Sequence, residues 1–389
     1  MLNYLQKIFY LVVLMGLTGF LMAACDGNTQ DSVQTVDLLP GSSRLSDLLS
    51  DGGVQGYARA TESRTFDFPA DHGPHPDYRN EWWYVTGNLD GENGERFGFE
   101  LTFFRFSLSP ENISTTDSSW QTNQVYVAHF AVSDIVEDRF HVAQRYSRGS
   151  VGLAGATAEP FRVWLDDWTI RADVSSSWRL QAKGDDFGID LILVPLKAPV
   201  LQGQDGLSQK SAEPGNASYY YSIPRLQSNG HINIAGRNYP VSGLSWIDRE
   251  WSSSALSDQQ KGWDWFALQL SDGSELMFYQ IRRNDDSADV HSAGTWIDSA
   301  GNSTALANDD VSIEVSDYWQ SERGGRYPAA WEIHIAALDA TLTVKPAMAD
   351  QELITNVRYW EGAVDVAGAA KGQAISGRGY VELTGYAEN

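Results

Sequence analysis

Several runs of residues occur twice in this chain, in the same order, and that repetition limits the fold more than any single motif. Glu100-Leu101-Thr102-Phe103-Phe104 returns as Glu275-Leu276-Met277-Phe278-Tyr279. His129-Phe130-Ala131 is echoed by His291-Ser292-Ala293. Trp178-Arg179-Leu180, leading to Leu191 and Pro195, returns as Trp331-Glu332-Ile333, leading to Leu342 and Pro346. The run from Val241 to Asp248 returns from Ile375 to Glu382, with Trp246 and Asp248 matched by Tyr380 and Glu382. Only the spacers differ, so the two halves read as two copies of one fold.

Each copy reads as strands. Phe97 to Phe103 alternates in a way that puts large apolar side chains on one face, and Asp190 to Val194 is a short buried run. Asp90-Gly91, Gly184-Asp185 and Asp272-Gly273 are turn signals between such runs. The chain holds 14 Trp, 17 Tyr and 15 Phe, flat rings that suit pleated sheets or an aromatic-walled pocket. No stretch has a convincing amphipathic-helix period. The expectation is an all-β chain of two tandem antiparallel β-barrels, each able to enclose a lumen for an apolar ligand. An insertion around Gln202–Gly215, rich in Gly, Gln, Ser and Lys, reads as a mobile loop in the first copy.

The start of the chain points to export. Lys7 precedes an apolar run from Ile8 to Met22, about fifteen residues and short for a membrane span. Small residues lead into Cys25, the only cysteine among 389 residues, which excludes an internal disulfide. Leu21-Met22-Ala23-Ala24-Cys25 resembles a bacterial lipobox, which implies a cysteine acylated with diacylglycerol and a membrane-anchored lipoprotein. Asp26 resembles the signal that retains bacterial lipoproteins at the inner membrane, so the periplasmic face of the cell envelope is the expected location. The domain reading is a signal peptide over 1–24, a flexible tether over 25–56, and barrels over 57–255 and 256–389. A net charge of -23 argues against nucleic acid as a partner.

A longer set of motifs carries a family resemblance. Phe68-Pro69-Ala70-Asp71-His72-Gly73-Pro74-His75, Glu81-Trp82-Trp83-Tyr84, Ser218-Tyr219-Tyr220-Tyr221-Ser222, Trp246-Ile247-Asp248-Arg249-Glu250-Trp251 and Gly262-Trp263-Asp264-Trp265-Phe266 resemble AttH-like proteins, as does Gly379-Tyr380-Val381-Glu382-Leu383-Thr384-Gly385-Tyr386. That superfamily includes hydroxyneurosporene synthase, the carotenoid 1,2-hydratase. The resemblance implies a pair of lipocalin-like domains, a hydrophobic ligand, and an ABC transporter permease as partner. It also implies the hydratase chemistry: a strong proton donor, aromatic faces around a carbocation, and a dry cavity, with no metal or cofactor.

The hairpin Trp263–Arg282 is the candidate for that chemistry. A two-residue turn at Asp272-Gly273 would put Asp264, Phe266, Leu268, Met277, Tyr279 and Ile281 on one face. Asp264 would then be a lone carboxyl amid apolar neighbours, with a raised pKa and Tyr279 as its hydrogen-bond partner. Pocket candidates are Trp246, Asp248, Glu250, Trp251, Trp263, Trp265, Phe266 and Tyr220. The chain departs from the carotenoid hydratases at Arg249, where their segment carries a His, and at Gln280 and Ile281, where they place a carboxylate after the tyrosine. Asp71, His72, His75 and Glu81 lie among Pro74 and Pro76 and read as a rigid structural plug, without a second cluster to complete a metal shell.

Two functional expectations follow. The first is a tethered lipoprotein that binds or hands over a lipid or isoprenoid-like ligand. The second is a cofactor-independent hydratase or hydrolase using Asp264 and Tyr279, in the manner of a hydro-lyase or a secreted hydrolase.

Overall fold

The computed structural model describes residues 53–111, 118–254 and 256–387, all within one compact unit. The apolar leader, Cys25, Asp26 and nearly all of the expected tether lie outside the described residues.

The described chain is almost entirely β, as alternating side chains and frequent turns require. The first sheet holds β1 (Asn80–Gly91), β2 (Arg96–Ser107), β3 (Gln124–Asp134), β4 (Arg139–Arg148), β5 (Ala154–Thr157), β6 (Arg162–Leu165) and β7 (Trp168–Ala172). It continues with β8 (Trp178–Lys183), β9 (Phe187–Pro195), β10 (Val200–Leu201), β11 (Leu207–Gln209), β12 (Ala217–Ile234) and β13 (Arg237–Ser252). The second holds β14 (Gln260–Leu270), β15 (Glu275–Arg283), β16 (Ala293–Ile297), β17 (Ser303–Ala307) and β18 (Val311–Gln320). It is completed by β19 (Arg326–Ile335), β20 (Ala340–Pro346), β21 (Glu352–Ile354), β22 (Arg358–Ala370) and β23 (Gln373–Leu383). Both are antiparallel, one curling into a near-closed barrel and the other into a half-barrel, a lipocalin-like pair.

The strand orders repeat. The first runs β4-β3-β2-β1-β13-β12-β9-β8-β7 and then adds β6 and β5; the second runs β17-β16-β15-β14-β23-β22-β20-β19-β18. Register confirms two of the sequence echoes. Trp178 pairs with Leu193 and Leu180 with Leu191, as Trp331 pairs with Val344 and Ile333 with Leu342. Gly243 and Gly377 also correspond: an added Cβ would lie 2.1 Å from the Asn88 carbonyl oxygen in one copy and 2.4 Å from that of Gln269 in the other.

The remaining two echoes are two residues out. Thr86 pairs with Trp246 and Glu100, whereas its counterpart Ala267 pairs with Tyr380 and Met277. Glu100 therefore corresponds to Met277, not to Glu275. By the same register His129, opposite Thr102, corresponds to Ala293, opposite Tyr279. A slip of two leaves every side chain on its proper face, so alternation alone could not detect it.

Each sheet packs its own core, around Phe99, Phe130 and Trp168 in the first and Phe266, Trp331 and Trp360 in the second. The barrel interiors are filled with these side chains. A third apolar cluster, including Tyr84, Tyr220, Trp246, Trp265 and Tyr279, lies between the sheets. Here counterpart residues bond reciprocally: the Asn88 amide donates to the Gly379 carbonyl at 2.9 Å, and the Gln269 amide to the Ser245 carbonyl at 2.9 Å. Such mutual contact is the signature of a two-fold interface, realised here within one chain.

The insertion expected to be a mobile loop is instead tied down. Leu207–Gln209 pairs with β12, and the following Lys210 enters the space between the sheets.

Candidate functional site

The ligand space lies between the two sheets, not in a barrel lumen as the sequence suggests. A clear interior of about 90 Å³ opens into a cleft of about 840 Å³ counted out to solvent. The lumens fill because the large inward side chains of each barrel interdigitate; the outward faces of the central strands, equally aromatic, are left to make the cavity.

Its walls are matching rows of the two copies. Thr102, Tyr84 and Asp248 form one row across β2, β1 and β13, ending at Ser222 on β12. Tyr279, Trp265, Glu382 and Glu361 form the equivalent row across β15, β14, β23 and β22. A second row places Phe104, Trp82, Glu250 and Tyr220 in the cavity wall, and the other copy supplies Ile281, Trp263 and Tyr359. Because paired residues share a face, every one of these side chains turns toward the opposite sheet.

Two positions at the heart of this arrangement carry acids, and they differ in surroundings. Asp248 accepts hydrogen bonds from Tyr220 Oη at 2.5 Å, Trp246 Nε1 at 2.7 Å and Ser222 Oγ. Burial pushes its pKa up to about 7 against those three donors, with Glu250 adding to the rise. Glu382, its counterpart, has a carboxyl pushed up to about 8 by burial and by Glu250 and Asp248, with only Trp263 opposing. Glu382 and Lys210 keep part of their surface, and both border the cavity.

Deeper in, burial drives Glu361 and Glu100 well above the usual carboxylate range, each reinforced by neighbouring carboxyls. The Tyr84 and Tyr359 hydroxyls lie near enough to favour the charged form of Glu361, yet neither of its oxygens closes a hydrogen bond of ordinary geometry. Tyr84 Oη is likewise buried and closes no hydrogen bond of ordinary geometry. These atoms leave a polar spot among the aromatic rings of the cavity, able to receive a water or a ligand hydroxyl.

Lys210 is the cation of the cavity wall. Its ammonium lies 3.2 Å from Glu250 and 4.1 Å from the Tyr279 ring centre. Burial works against its charge, but Glu250, Tyr279 and Asp248 outweigh that effect and hold it protonated.

Asp264 is not in this cavity. The hairpin closes with three residues, Ser271 to Gly273, because Leu270 N–H donates to the Ser274 carbonyl at 2.8 Å. Asp272 Oδ1 accepts the Ser274 N–H at 2.9 Å, and Gly273 adopts φ +83°. The extra residue moves the register by one, so Asp264 pairs with Gln280 and Trp265 with Tyr279. Tyr279 and Trp265 face the cavity, while Asp264 and Phe266 face the second core. Burial does raise the Asp264 pKa, as expected, but its partners are Arg282 Nε at 2.9 Å and Tyr386 Oη at 2.9 Å. Tyr279 bonds instead to Ser208, at 2.8 Å.

Of the other candidates, Tyr220, Asp248, Glu250, Trp263 and Trp265 line the cavity. Trp246 stands behind Asp248 as its donor. Trp251 and Phe266 are turned away because each directly follows a cavity residue in an alternating strand. Trp251 stacks on His75 at 3.7 Å, and Phe266 meets Trp331 edge-on at 5.6 Å. His75 in turn contacts Asp71 at 3.1 Å and Glu81 at 3.3 Å, and Glu81 is clasped by Arg105 and Arg249. Sequence reasoning missed Lys210, Glu361, Glu100, Tyr84 and Tyr359. It met Glu382 as the repeat partner of Asp248 and took the match as strand construction; the same match marked the second half of the site.

The AttH-like family profile matches residues 59–386, nearly all of the described chain. The chain belongs to the AttH-like family. A crystal structure of a Nitrosomonas europaea protein described as AttH is 37% identical, with a TM-score of 0.76, over 85% of this chain and 99% of that one. Kievitone hydratase from Nectria haematococca shares the fold at 14% identity and a TM-score of 0.64, over 85% of this chain and 97% of that one. No curated protein matches the chain.

Proposed function

We propose that the inter-sheet cavity of this AttH-like protein is the active site of a cofactor-independent hydro-lyase, adding water to or removing it from an apolar, unsaturated ligand. One observation carries this reading: two carboxyls, Glu382, whose pKa burial and its acidic neighbours raise, and Asp248, wrapped by three donors, face one aromatic-walled cavity. In the hydration direction the Glu382 proton forms a C–H bond with one alkene carbon, using the π pair and leaving the neighbouring carbon cationic. The rings of Trp82, Trp263 and Trp265 stabilise that charge. A water oxygen then forms the C–O bond, and the water proton passes to the Asp248 carboxylate. Kievitone hydratase is a hydratase with this fold, in keeping with the reading. A mere carrier of apolar ligands gains nothing from burying carboxyls at the desolvation cost they carry, so the carrier function ranks second.

Location and partners rest on sequence alone. A lipid anchor at Cys25, an envelope location and an ABC transporter permease as partner remain proposals from the lipobox and the family resemblance.

The test uses a short prenyl alcohol in H₂¹⁸O, with product oxygen followed by mass spectrometry and binding by tryptophan fluorescence. Glu382→Gln and Asp248→Asn should each abolish ¹⁸O incorporation while leaving binding within a few-fold. Label incorporation at the wild-type rate in both variants would refute the mechanism, and binding without any incorporation by the wild type would favour the carrier.

A further inference from the structure

The two copies make the cavity nearly symmetric, so a feature present on one side alone is informative. His129 is such a feature. It lies on β3 opposite Thr102, and the matching position in the other copy, opposite Tyr279, is Ala293. His129 is almost wholly buried, 1% exposed, and its Nδ1 lies 2.7 Å from the Tyr359 hydroxyl. Its Nε2 receives the Gln144 amide at 3.0 Å. The orientation of that amide is set by its oxygen, which accepts the Asn356 N–H at 3.2 Å. Nε2 is therefore an acceptor, Nδ1 carries the hydrogen, and the Tyr359 hydroxyl accepts from it. The Tyr359 proton is then free to point at its neighbour on the same strand face, Glu361, whose oxygens have no bond of ordinary geometry. Glu361 pairs directly with Glu382 across β22 and β23.

We propose that His129 is a positioning residue for proton return, linking solvent to the buried acids through Tyr359 and Glu361. The proposal rests on the acid role of Glu382 above. Each turnover of that mechanism leaves Glu382 without its proton and Asp248 with one too many, while an apolar ligand fills the cleft between Glu382 and solvent. The relay restores the first. A solvent proton reaches His129 Nε2 beside the half-exposed Gln144 and Thr355. The Nδ1 hydrogen moves to Tyr359 Oη, the Tyr359 hydrogen moves to Glu361, and Glu361 hands its own proton to Glu382. One proton enters and one carboxylate is neutralised. His129 ends with the hydrogen on Nε2, and the ring resets when its Nδ1 takes a proton from water and its Nε2 releases one to solvent, with no net change in charge. Burial pulls the His129 pKa down to about 3, so the ring starts neutral, as a relay of this kind needs. Burial raises the Tyr359 pKa, and Glu361, Glu100 and Glu382 add to the rise, which keeps its hydroxyl protonated between transfers.

Infrared spectroscopy after rapid mixing of the full chain into D₂O reads the relay without needing a substrate. The protonated-carboxyl band that disappears in Glu361→Gln is assigned to Glu361, and its shift on deuteration times the exchange. In His129→Gln and in Tyr359→Phe that exchange should slow on the order of tenfold or more, the effect of breaking one link in the chain. The band position in H₂O should stay put in His129→Gln and shift in Tyr359→Phe, which removes the hydroxyl beside Glu361; in both variants the exchange rate is what reads the relay. Should the first variant fail to fold, the second, which removes one oxygen, carries the test. Exchange at the wild-type rate in a folded variant overturns the relay and leaves the hydro-lyase reading intact. Absence of any band specific to Glu361 overturns the relay's premise that this carboxyl is protonated, and ¹⁸O incorporation then decides the function separately.

Discussion

Asp248 and Glu382 occupy the same place in the two copies and face one cavity, yet Asp248 receives three hydrogen bonds and Glu382 is left with Trp263. Duplication supplied two carboxyls at related positions, and divergence of their neighbours made one the better base and the other the better acid. Ser222 beside Asp248 is replaced by Glu361 beside Glu382, so the donor that favours the Asp248 carboxylate has no equivalent at Glu382, whose pKa is raised by burial, Glu250 and Asp248.

This difference predicts a narrow pH window for activity. Asp248 must be ionised, which its pKa of about 7 allows on the alkaline side, and Glu382 must be protonated, which its pKa of about 8 allows on the acid side. The kcat/KM profile should be a bell with its maximum between these values, and the two limbs belong to the interacting pair, not to either residue alone. Glu382→Gln should leave no measurable profile. A rate that rises steadily from pH 5 to pH 9 would contradict the assignment; the profile with a turned-over prenyl alcohol is the measurement.

Stability should respond to the same acids with a definite sign. Glu361 binds its proton more tightly folded than unfolded, since burial, Glu100 and Glu382 all raise its pKa. Its contribution is therefore fully present below the ordinary glutamate pKa and falls as pH rises toward the folded value. Glu361→Gln, which cannot ionise, should be close to wild type in melting temperature at pH 4.5 and higher by roughly 3–6 °C at pH 8. Differential scanning calorimetry at the two pH values checks it. An equal effect at both would mean that Glu361 does not take up a proton on folding.

Asp264 was the residue the sequence favoured as the acid, and the structure gives it a different consequence. Its carboxylate is joined to Arg282 in the second core. Asp264→Ala should cost about 3–5 kcal/mol, the usual result of leaving one half of a buried ion pair, while folded protein keeps its turnover. Urea unfolding and active-site titration separate the two effects. Loss of turnover at unchanged stability would restore Asp264 as a catalytic candidate.

What could be read in the sequence follows from which physical signals are periodic. The all-β architecture and the duplication were legible, because a period of two and a repeated motif survive without coordinates; the cavity residues Trp263, Trp265 and Tyr220 entered through the family motifs, whereas the period-two reading of the hairpin placed the pocket on the face of Asp264. The face of Asp264 was not, because it depended on whether Asp272-Gly273 closes a hairpin of two residues or three. Asp-Gly suits both, and Ser271 decided it by joining the loop. Lys210 was hidden by composition: a stretch rich in Gly, Gln and Ser looks mobile until β12 offers it an edge. Glu361 carried no signal, since nothing about a single Glu on a strand shows which sheet it will face.

The reciprocal bonds of Asn88 and Gln269 provide the test of the two-fold arrangement on which the cavity depends. Each amide holds a backbone carbonyl of the opposite sheet, and each is buried. Asn88→Ala and Gln269→Ala should each destabilise by about 1–3 kcal/mol, since each leaves a buried carbonyl without that donor. Because the two bonds span one interface, either loss loosens the same pair of sheets. The double variant should therefore cost less than the sum, with a coupling of about 0.5 kcal/mol or more. A double-mutant cycle in urea measures this directly. Strict additivity would mean that the sheets respond independently, and the acids they bring together would then need another reason for their fixed separation.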